Sequence, residues 1–154
     1  MTFTRPLALA LALTVGGAAA ATAQDFSMQI DARQGQFKIM ALNLGVLGGM
    51  ARGEIDYDAE AAQRAADTIV AISSVDQSLL WPEGSDNFAL DTTRAEPSIW
   101  EDNADFLAKW TQMGEAAVAM QQAAADPDAL GGALRQLGGS CGACHDAHRG
   151  PELE

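Results

Sequence analysis

The most constraining feature of the chain is a Cys-x-x-Cys-His run, Cys141-Gly142-Ala143-Cys144-His145, close to its C-terminal end. On a helix, Cys141 and Cys144 lie about one turn apart on one face, and His145 follows a fraction of a turn round. Two thiols so placed can add to the two vinyl groups of a haem while the adjacent imidazole reaches the iron. The run therefore predicts one haem c per chain, bonded to Cys141 and Cys144, with His145 as axial metal ligand.

A dithiol redox pair and a zinc site are the alternatives for these cysteines. A redox Cys-x-x-Cys is expected near a βαβ pattern, which this sequence lacks. The chain has only two Cys and two His, so a closed zinc site would need all four, His148 included, within eight consecutive residues. Both alternatives are therefore weaker than haem attachment.

Residues 1–23 have the pattern of a secretory signal peptide. Arg5 supplies the positive charge, Leu7 to Val15 the apolar segment, and Ala21-Thr22-Ala23 the cleavage site. A membrane anchor is the alternative, but the small residues before the cleavage site favour removal of the segment. We therefore expect a signal peptide over 1–23, a domain over 24–154 in the bacterial periplasm, and no membrane span after the signal is removed.

The remaining chain is acidic and of single-domain length. The full sequence has a formal charge of -12, and loss of Arg5 with the signal makes the mature chain one unit more acidic. This charge argues against binding to nucleic acid, and it is compatible with steering of a basic partner.

Apolar residues recur at helical spacing in four segments, and no strand-like alternation is present. The first segment, about 27–52, has two apolar stripes, which predict two buried neighbours. The second runs from about Asp58 to Leu80, with Leu79 facing inward. The stripes are Ile30, Phe37, Met40, Leu44 and Leu47, and Ile39, Leu42, Val46 and Met50, in the first segment; Ala62, Ala65, Ile69, Ile72 and Leu79 in the second; Ile99, Phe106, Trp110, Met113, Ala117 and Met120 in the third; and Leu130, Leu134, Leu137, Cys141 and Cys144 in the fourth.

Turn chemistry separates the second and third segments over residues 81–97. Ser98 with Glu101 forms a capping-box pattern that predicts the start of the third helix. Asp126 and Pro127 supply an N-cap and a first-turn proline for the fourth. We therefore predict an all-α, antiparallel up-down-up-down four-helix bundle with covalently bound haem c between facing helices. A three-helix array with a loose first segment is the alternative, and the apolar stripes of that segment disfavour it.

Three sequence features resemble cytochrome c′, a class II c-type cytochrome: Arg33-Gln34 on the first helix, Pro97-Ser98-Ile99-Trp100 at the end of the loop, and the run from Cys141 to Arg149. The resemblance implies that His145 is the fifth iron ligand and that the sixth position is open. An apolar side chain of the first helix covers that position in the family, and it corresponds to Phe37 here. A benzyl group cannot coordinate iron, so the resemblance implies a five-coordinate iron that admits small diatomic gases.

A methionine ligand is the alternative for the sixth position. Met40 lies on the same helical face as Arg33, Phe37 and Leu44, so a six-coordinate, low-spin electron carrier is possible in principle. The low-spin relatives have methionine where this chain has Phe37, and methionines on an apolar stripe usually fill space. Met40 is therefore predicted to pack beside the haem.

The resemblance also assigns the polar groups around the cofactor. Arg33 and Gln34 would meet the haem propionates, and Thr93 and Arg94 would add a contact from the loop. Arg149 would lie beside the proximal ligand, and its other interpretation is a cation that stabilises the C-terminal end of its helix. His148 stands where the family often has an aromatic residue, and it is predicted to pack and not to bind the iron.

Two functions remain open from the sequence: capture of nitric oxide or carbon monoxide, and electron transfer to a redox protein. An enzymatic role such as that of a peroxidase lacks an evident distal His or Arg near Phe37, so no catalytic residue is predicted. Family members are often homodimers through their first two helices, and small residues such as Gly45, Gly48, Gly49 and Ala51 would allow close approach. A homodimer is therefore expected.

Overall fold

The computed structural model describes residues 25–153, and the predicted signal segment 1–23 lies outside them. It contains α1 (Ser27–Ala51), α2 (Ala59–Ser73), the single-turn α3 (Ser98–Glu101), α4 (Asn103–Ala123) and α5 (Pro127–His148). The four long helices pack in sequence order, and α5 also packs against α1, which closes a four-helix bundle. The predicted fold class is confirmed. Within the described range, no helix has the length and apolar character needed to cross a bilayer.

The bundle core is built mainly from alanine, leucine and methionine. Side chains that water does not reach come from all four long helices, and they include Leu47, Ile69, Met120, Leu130 and Leu137. These are the residues that 3.6-residue periodicity places on the inner faces. The apolar stripes predicted for the third and fourth segments therefore face the core along much of their length.

The middle of the second apolar stripe of α1 has no buried neighbour within residues 25–153. Leu42 is 73% exposed and Ile39 is 42% exposed, whereas Met50 at the end of the stripe is buried. The prediction that both stripes pack against other helices of the same chain was wrong at these two positions. One face of α1 packs into the bundle, and the middle of the other faces solvent.

Helix α2 ends seven residues before the predicted boundary at Leu80. The hydroxyls of Ser73 and Ser74 both donate to the carbonyl oxygen of Val70, at 2.7 and 3.0 Å. Side-chain bonds of this kind compete with the helical backbone pattern, and the β-branched Val75 follows. Leu79 consequently lies in the loop and is 81% exposed, so its predicted inward position was wrong.

The start of the third long helix also differs from the predicted capping box. Ser98 and Glu101 belong to the single turn α3, and the carboxylate of Asp102 accepts from the backbone N–H of Asp105 to start α4. The Ser98 hydroxyl instead donates to the carbonyl oxygen of Ala147, near the end of α5. The predicted cap of α5 is confirmed, because the Asp126 carboxylate accepts from the N–H of Asp128 and Pro127 occupies the first turn.

The loop between α2 and α3 is attached to the end of α5. The N–H of Glu96 donates to the carbonyl oxygen of His148 at 3.1 Å, and the N–H of Gly150 donates to that of Arg94 at 2.8 Å. A Cβ atom at Gly150 would lie 2.5 Å from side-chain atoms of Asn87 and Glu96, so only glycine fits there without displacement. This pairing brings the loop to the helix that bears the Cys-x-x-Cys-His run.

Candidate functional site

A cavity of about 590 Å³ lies between α1, α4, α5 and the loop, and no residue of α2 lines it. Its volume falls within the roughly 300–1,000 Å³ typical of cofactor and ligand pockets. The structure brings together all ten sequence-predicted site residues in its walls. They are Arg33, Gln34, Phe37, Met40, Thr93, Arg94, Cys141, Cys144, His145 and Arg149.

Helix α5 presents the two thiols and the imidazole to this cavity. Cys141, Cys144 and His145 are all half-buried, and the two cysteines form no disulfide. Burial is the main cause that raises the pKa of each thiol. Burial, followed by the positive charges of Arg149 and Arg94, lowers the pKa of His145. The lowered pKa favours the neutral imidazole, which is the form that binds a metal.

Phe37 projects from α1 into the same cavity. Its ring contacts two tryptophan rings edge-on or tilted, with centroid distances of 6.1 Å to Trp110 and 6.5 Å to Trp81. Trp81 in turn contacts Phe106 at 5.0 Å. Aromatic rings therefore form one part of the apolar cavity wall, and Phe37, which is 38% exposed, contacts two of them.

Met40 lies one turn beyond Phe37 and is 4% exposed. It belongs to the central core with Leu47 and Met113, and it also lines the cavity. This environment is that of a space-filling methionine, which agrees with the role predicted for it.

Arg33 is the most constrained polar side chain of the site. It is 2% exposed, and its guanidinium donates to the hydroxyl and carbonyl oxygens of Ser85, at 2.8 and 2.6 Å, and to the hydroxyl of Thr93, at 2.7 Å. It also lies over the Trp81 ring, 4.5 Å from the centroid. Burial lowers the pKa of Arg33 to about 10, so the side chain remains a cation at neutral pH.

The other predicted polar contacts have partners within the loop and tail. Gln34 donates to the carbonyl oxygen of Thr92 at 2.9 Å. Arg94 donates through Nε to the carbonyl oxygen of Gly150 at 2.8 Å, and its Nη1 lies 3.8 Å from the Glu152 carboxylate. Arg94 therefore attaches the C-terminal tail to the loop, a role that the sequence did not suggest.

His148 is packed and not free to reach the ligand position of His145. It is 5% exposed, its Nδ1 lies 2.9 Å from the Ser98 hydroxyl, and its Nε2 lies 3.1 Å from the Asp105 carboxylate. The ring also meets Phe106 edge-on at 5.7 Å. Arg149 follows as the C-cap of α5 and is exposed.

Positive charge is concentrated at this cavity although the chain is acidic overall. Five of the eight lysine and arginine residues within 25–153 line it, whereas no Asp or Glu of that range does. They are Arg33, Lys38, Arg94, Lys109 and Arg149.

The sequence did not predict that Lys38, Lys109 and Trp81 lie at the site. It placed Trp110 on the core stripe without assigning it to the cavity.

These features fit a haem. Two thiols and an imidazole on one helix are the groups that would hold a covalently attached haem, and aromatic side chains in the wall suit a porphyrin. The buried Arg33 cation has no carboxylate within ion-pair distance among the described residues, so the carboxylate groups of a haem would complete it. No group of three or more His, Cys, Asp or Glu side chains in the described range could hold a bare metal ion.

Comparison with known proteins identifies the family. The model of the Cytochrome C′ family matches residues 28–149. Cytochrome c-554 of Cereibacter sphaeroides is 43% identical over 144 residues, covering 93% of this chain and 94% of the relative. Cytochrome c′ of the same organism is 39% identical over 132 residues, covering 85% and 89%.

Solved structures agree with the sequence relatives. A cytochrome c′ structure from a Rhodobacter species has a TM-score of 0.80 at 35% identity and covers 84% of this chain and 100% of its own. The nitric oxide complex of a cytochrome c′ variant from Alcaligenes xylosoxidans has a TM-score of 0.73 at 27% identity, covering 83% and 98%. Family members bind haem c covalently through cysteines, and Cys141 and Cys144 are the two cysteines that bind it here. The chain is a member of the cytochrome c′ family, haem proteins that bind small gases or transfer electrons.

Proposed function

We propose that the chain captures nitric oxide or carbon monoxide at a five-coordinate iron, with His145 as the only axial ligand from the protein. The haem, when bound, supplies an iron whose open coordination position takes a diatomic gas. The observation that carries this proposal is Phe37, which contributes an aromatic ring to the cavity and has no atom able to bind iron. The nitric oxide complex of the Alcaligenes relative supports the choice of ligand.

The surrounding side chains have separate roles in this proposal. Cys141 and Cys144 attach the cofactor, while Arg33 and Gln34, with Thr93 and Arg94 on the loop, surround its propionates. Phe37 covers the open side of the iron and excludes water, and Met40 packs beside the ring. Arg149 adds positive charge near His145, which disfavours the imidazolium form and keeps the neutral imidazole available to the iron.

Electron transfer is the second candidate function, and the charge of the cavity favours it. Lys38 and Arg149 are exposed and line the cavity, and neither forms an ion pair with a residue in the described range. A positive rim on an otherwise acidic chain would orient an acidic redox protein toward the haem edge. No enzymatic reaction is proposed.

We also propose export and self-association. The predicted signal peptide over 1–23 would send the chain to the periplasm. The exposed Met28, Ile39 and Leu42 on α1 support a homodimer through that helix. Of the small residues noted in the sequence, Gly49 faces Ile55 of its own chain, because a Cβ atom there would lie 2.6 Å from Ile55 Cδ1. Gly45 has open space around it.

Absorption spectra of the purified holoprotein test the proposed iron coordination. We expect high-spin bands in the dithionite-reduced protein and a new spectrum after carbon monoxide is added, because no protein group would occupy the sixth position. A low-spin reduced spectrum that carbon monoxide leaves unchanged would contradict the gas-binding proposal and leave electron transfer with a methionine ligand. A Met40→Leu variant then identifies that ligand, since only a ligating thioether would change the spectrum on removal.

A further inference from the structure

We propose that Trp110 is a positioning residue that holds the Phe37 ring in the cavity and thereby sets how fast a small gas reaches the iron. This inference rests on the proposed gas-binding function. It makes Trp110 a second residue, besides Phe37, that controls gas access to the iron. The two rings that contact Phe37 are those of Trp81 and Trp110, and each is fixed by a hydrogen bond.

Trp110 is fixed through its indole nitrogen. Its Nε1–H donates to the carbonyl oxygen of Ser73 at 3.0 Å. Ser73 is the last residue of α2, so its carbonyl has no helical partner and is available to a side chain. The early end of α2 therefore anchors the Trp110 ring.

Trp81 fixes the other side of Phe37. Its indole N–H donates to the side-chain oxygen of Gln77 at 3.1 Å, and Gln77 is buried against Gln36 of α1, whose amide donates to the same oxygen at 3.0 Å. The Arg33 guanidinium lies over the face of the Trp81 ring, 4.5 Å from its centroid. Trp81 is thus held by contacts on several sides, whereas Trp110 has one hydrogen bond and packs against the bundle core.

The two neighbouring rings restrict the movement of the Phe37 side chain. A gas that binds on this side must displace the phenyl ring, and the ring is confined between two anchored aromatic side chains. Loss of the hydrogen bond of Trp110 would leave its ring held by packing against the bundle core, so the ring could shift away from Phe37 more readily. Trp110 therefore acts on gas access through Phe37 and touches no atom of the gas itself.

The test compares Trp110→Phe with Trp100→Phe in the holoprotein. Both substitutions keep an aromatic ring and remove one indole bond to a backbone carbonyl, since Trp100 Nε1 donates to the carbonyl oxygen of Trp81 at 3.0 Å. Trp100 neither contacts Phe37 nor lines the cavity. We expect Trp110→Phe to speed carbon monoxide association about threefold to tenfold, the range that a lost hydrogen bond supports. Trp100→Phe should change the rate less than about twofold.

A double variant decides whether Trp110 acts through Phe37. In a Phe37→Ala background, Trp110→Phe should change the association rate less than about twofold, because the ring that it positions is gone. The ferrous spectrum before gas addition should be the same in all variants, since no axial ligand is altered. If Trp110→Phe does not take up haem, Trp110→Tyr provides the same loss of the indole bond.

Several outcomes would overturn the inference. An unchanged rate in Trp110→Phe, an equal rate increase in Trp100→Phe, or the same effect of Trp110→Phe with and without Phe37 each contradict it, while leaving gas binding at the iron intact. Absence of any carbon monoxide complex in the unsubstituted protein would instead overturn the proposed function together with this inference.

Discussion

Replacing Phe37 with alanine should speed carbon monoxide association with the reduced holoprotein by about fivefold to 150-fold. In the proposed site, the ring leaves its contacts with Trp81 and Trp110 before a gas binds on that side. Each aromatic contact is worth roughly 0.5–1.5 kcal/mol beyond simple burial. Removal of two such contacts lowers the barrier by roughly 1–3 kcal/mol, and each ~1.4 kcal/mol corresponds to a factor of ten in rate. Stopped-flow mixing with carbon monoxide measures the effect.

Phe88→Ala is the matched control for this prediction. Phe88 lies in the loop, is 83% exposed and does not line the haem cavity, so its removal should leave the association rate unchanged. An unchanged rate in Phe37→Ala would mean that another side chain covers the iron or that the gas binds on the other face.

Replacing Arg33 with methionine should lower the free energy of unfolding of the holoprotein by about 2–4 kcal/mol. The guanidinium makes three short hydrogen bonds that join α1 to the loop through Ser85 and Thr93. Hydrogen bonds to charged groups contribute roughly 1.5–3 kcal/mol each, and relief of the buried charge offsets part of their loss. Urea denaturation followed by circular dichroism measures the change, which should appear as a lower midpoint with an unchanged slope.

Arg135→Met is the control for the same change of residue type at an exposed position of α5. It should change the free energy of unfolding by less than about 0.5 kcal/mol, as most surface substitutions do. Equal effects of the two substitutions would show that Arg33 contributes nothing specific to the attachment of the loop.

The resemblance to cytochrome c′ assigned Arg33 and Phe37 to the site, and helical spacing explains why these residues share a face with Met40. Arg33, Phe37 and Met40 follow at intervals of four and three residues, so a single helix brings them to one side. The same argument places Cys141 and Cys144 on the inner face of α5. These positions needed no knowledge of the loop.

The loop-borne part of the site depends on contacts that are distant in sequence. Ser85 is bonded to Arg33 of the cavity wall, 52 residues away in sequence. Trp81 is oriented by the buried pair of Gln36 and Gln77. No periodic pattern marks such contacts. The end of α2 did carry a signal, since two serines and a β-branched valine at 73–75 favour termination, but the apolar Leu79 and Leu80 extended the pattern past them.

The haem attachment itself is the central claim, and the state of the two cysteines tests it most directly. The mature protein should be purified from a cell that matures c-type cytochromes, denatured, and treated with a thiol alkylating reagent before mass spectrometry. We predict one haem retained per chain after denaturation, with Cys141 and Cys144 both unreactive toward the reagent. A colourless chain with two alkylated cysteines would contradict the account.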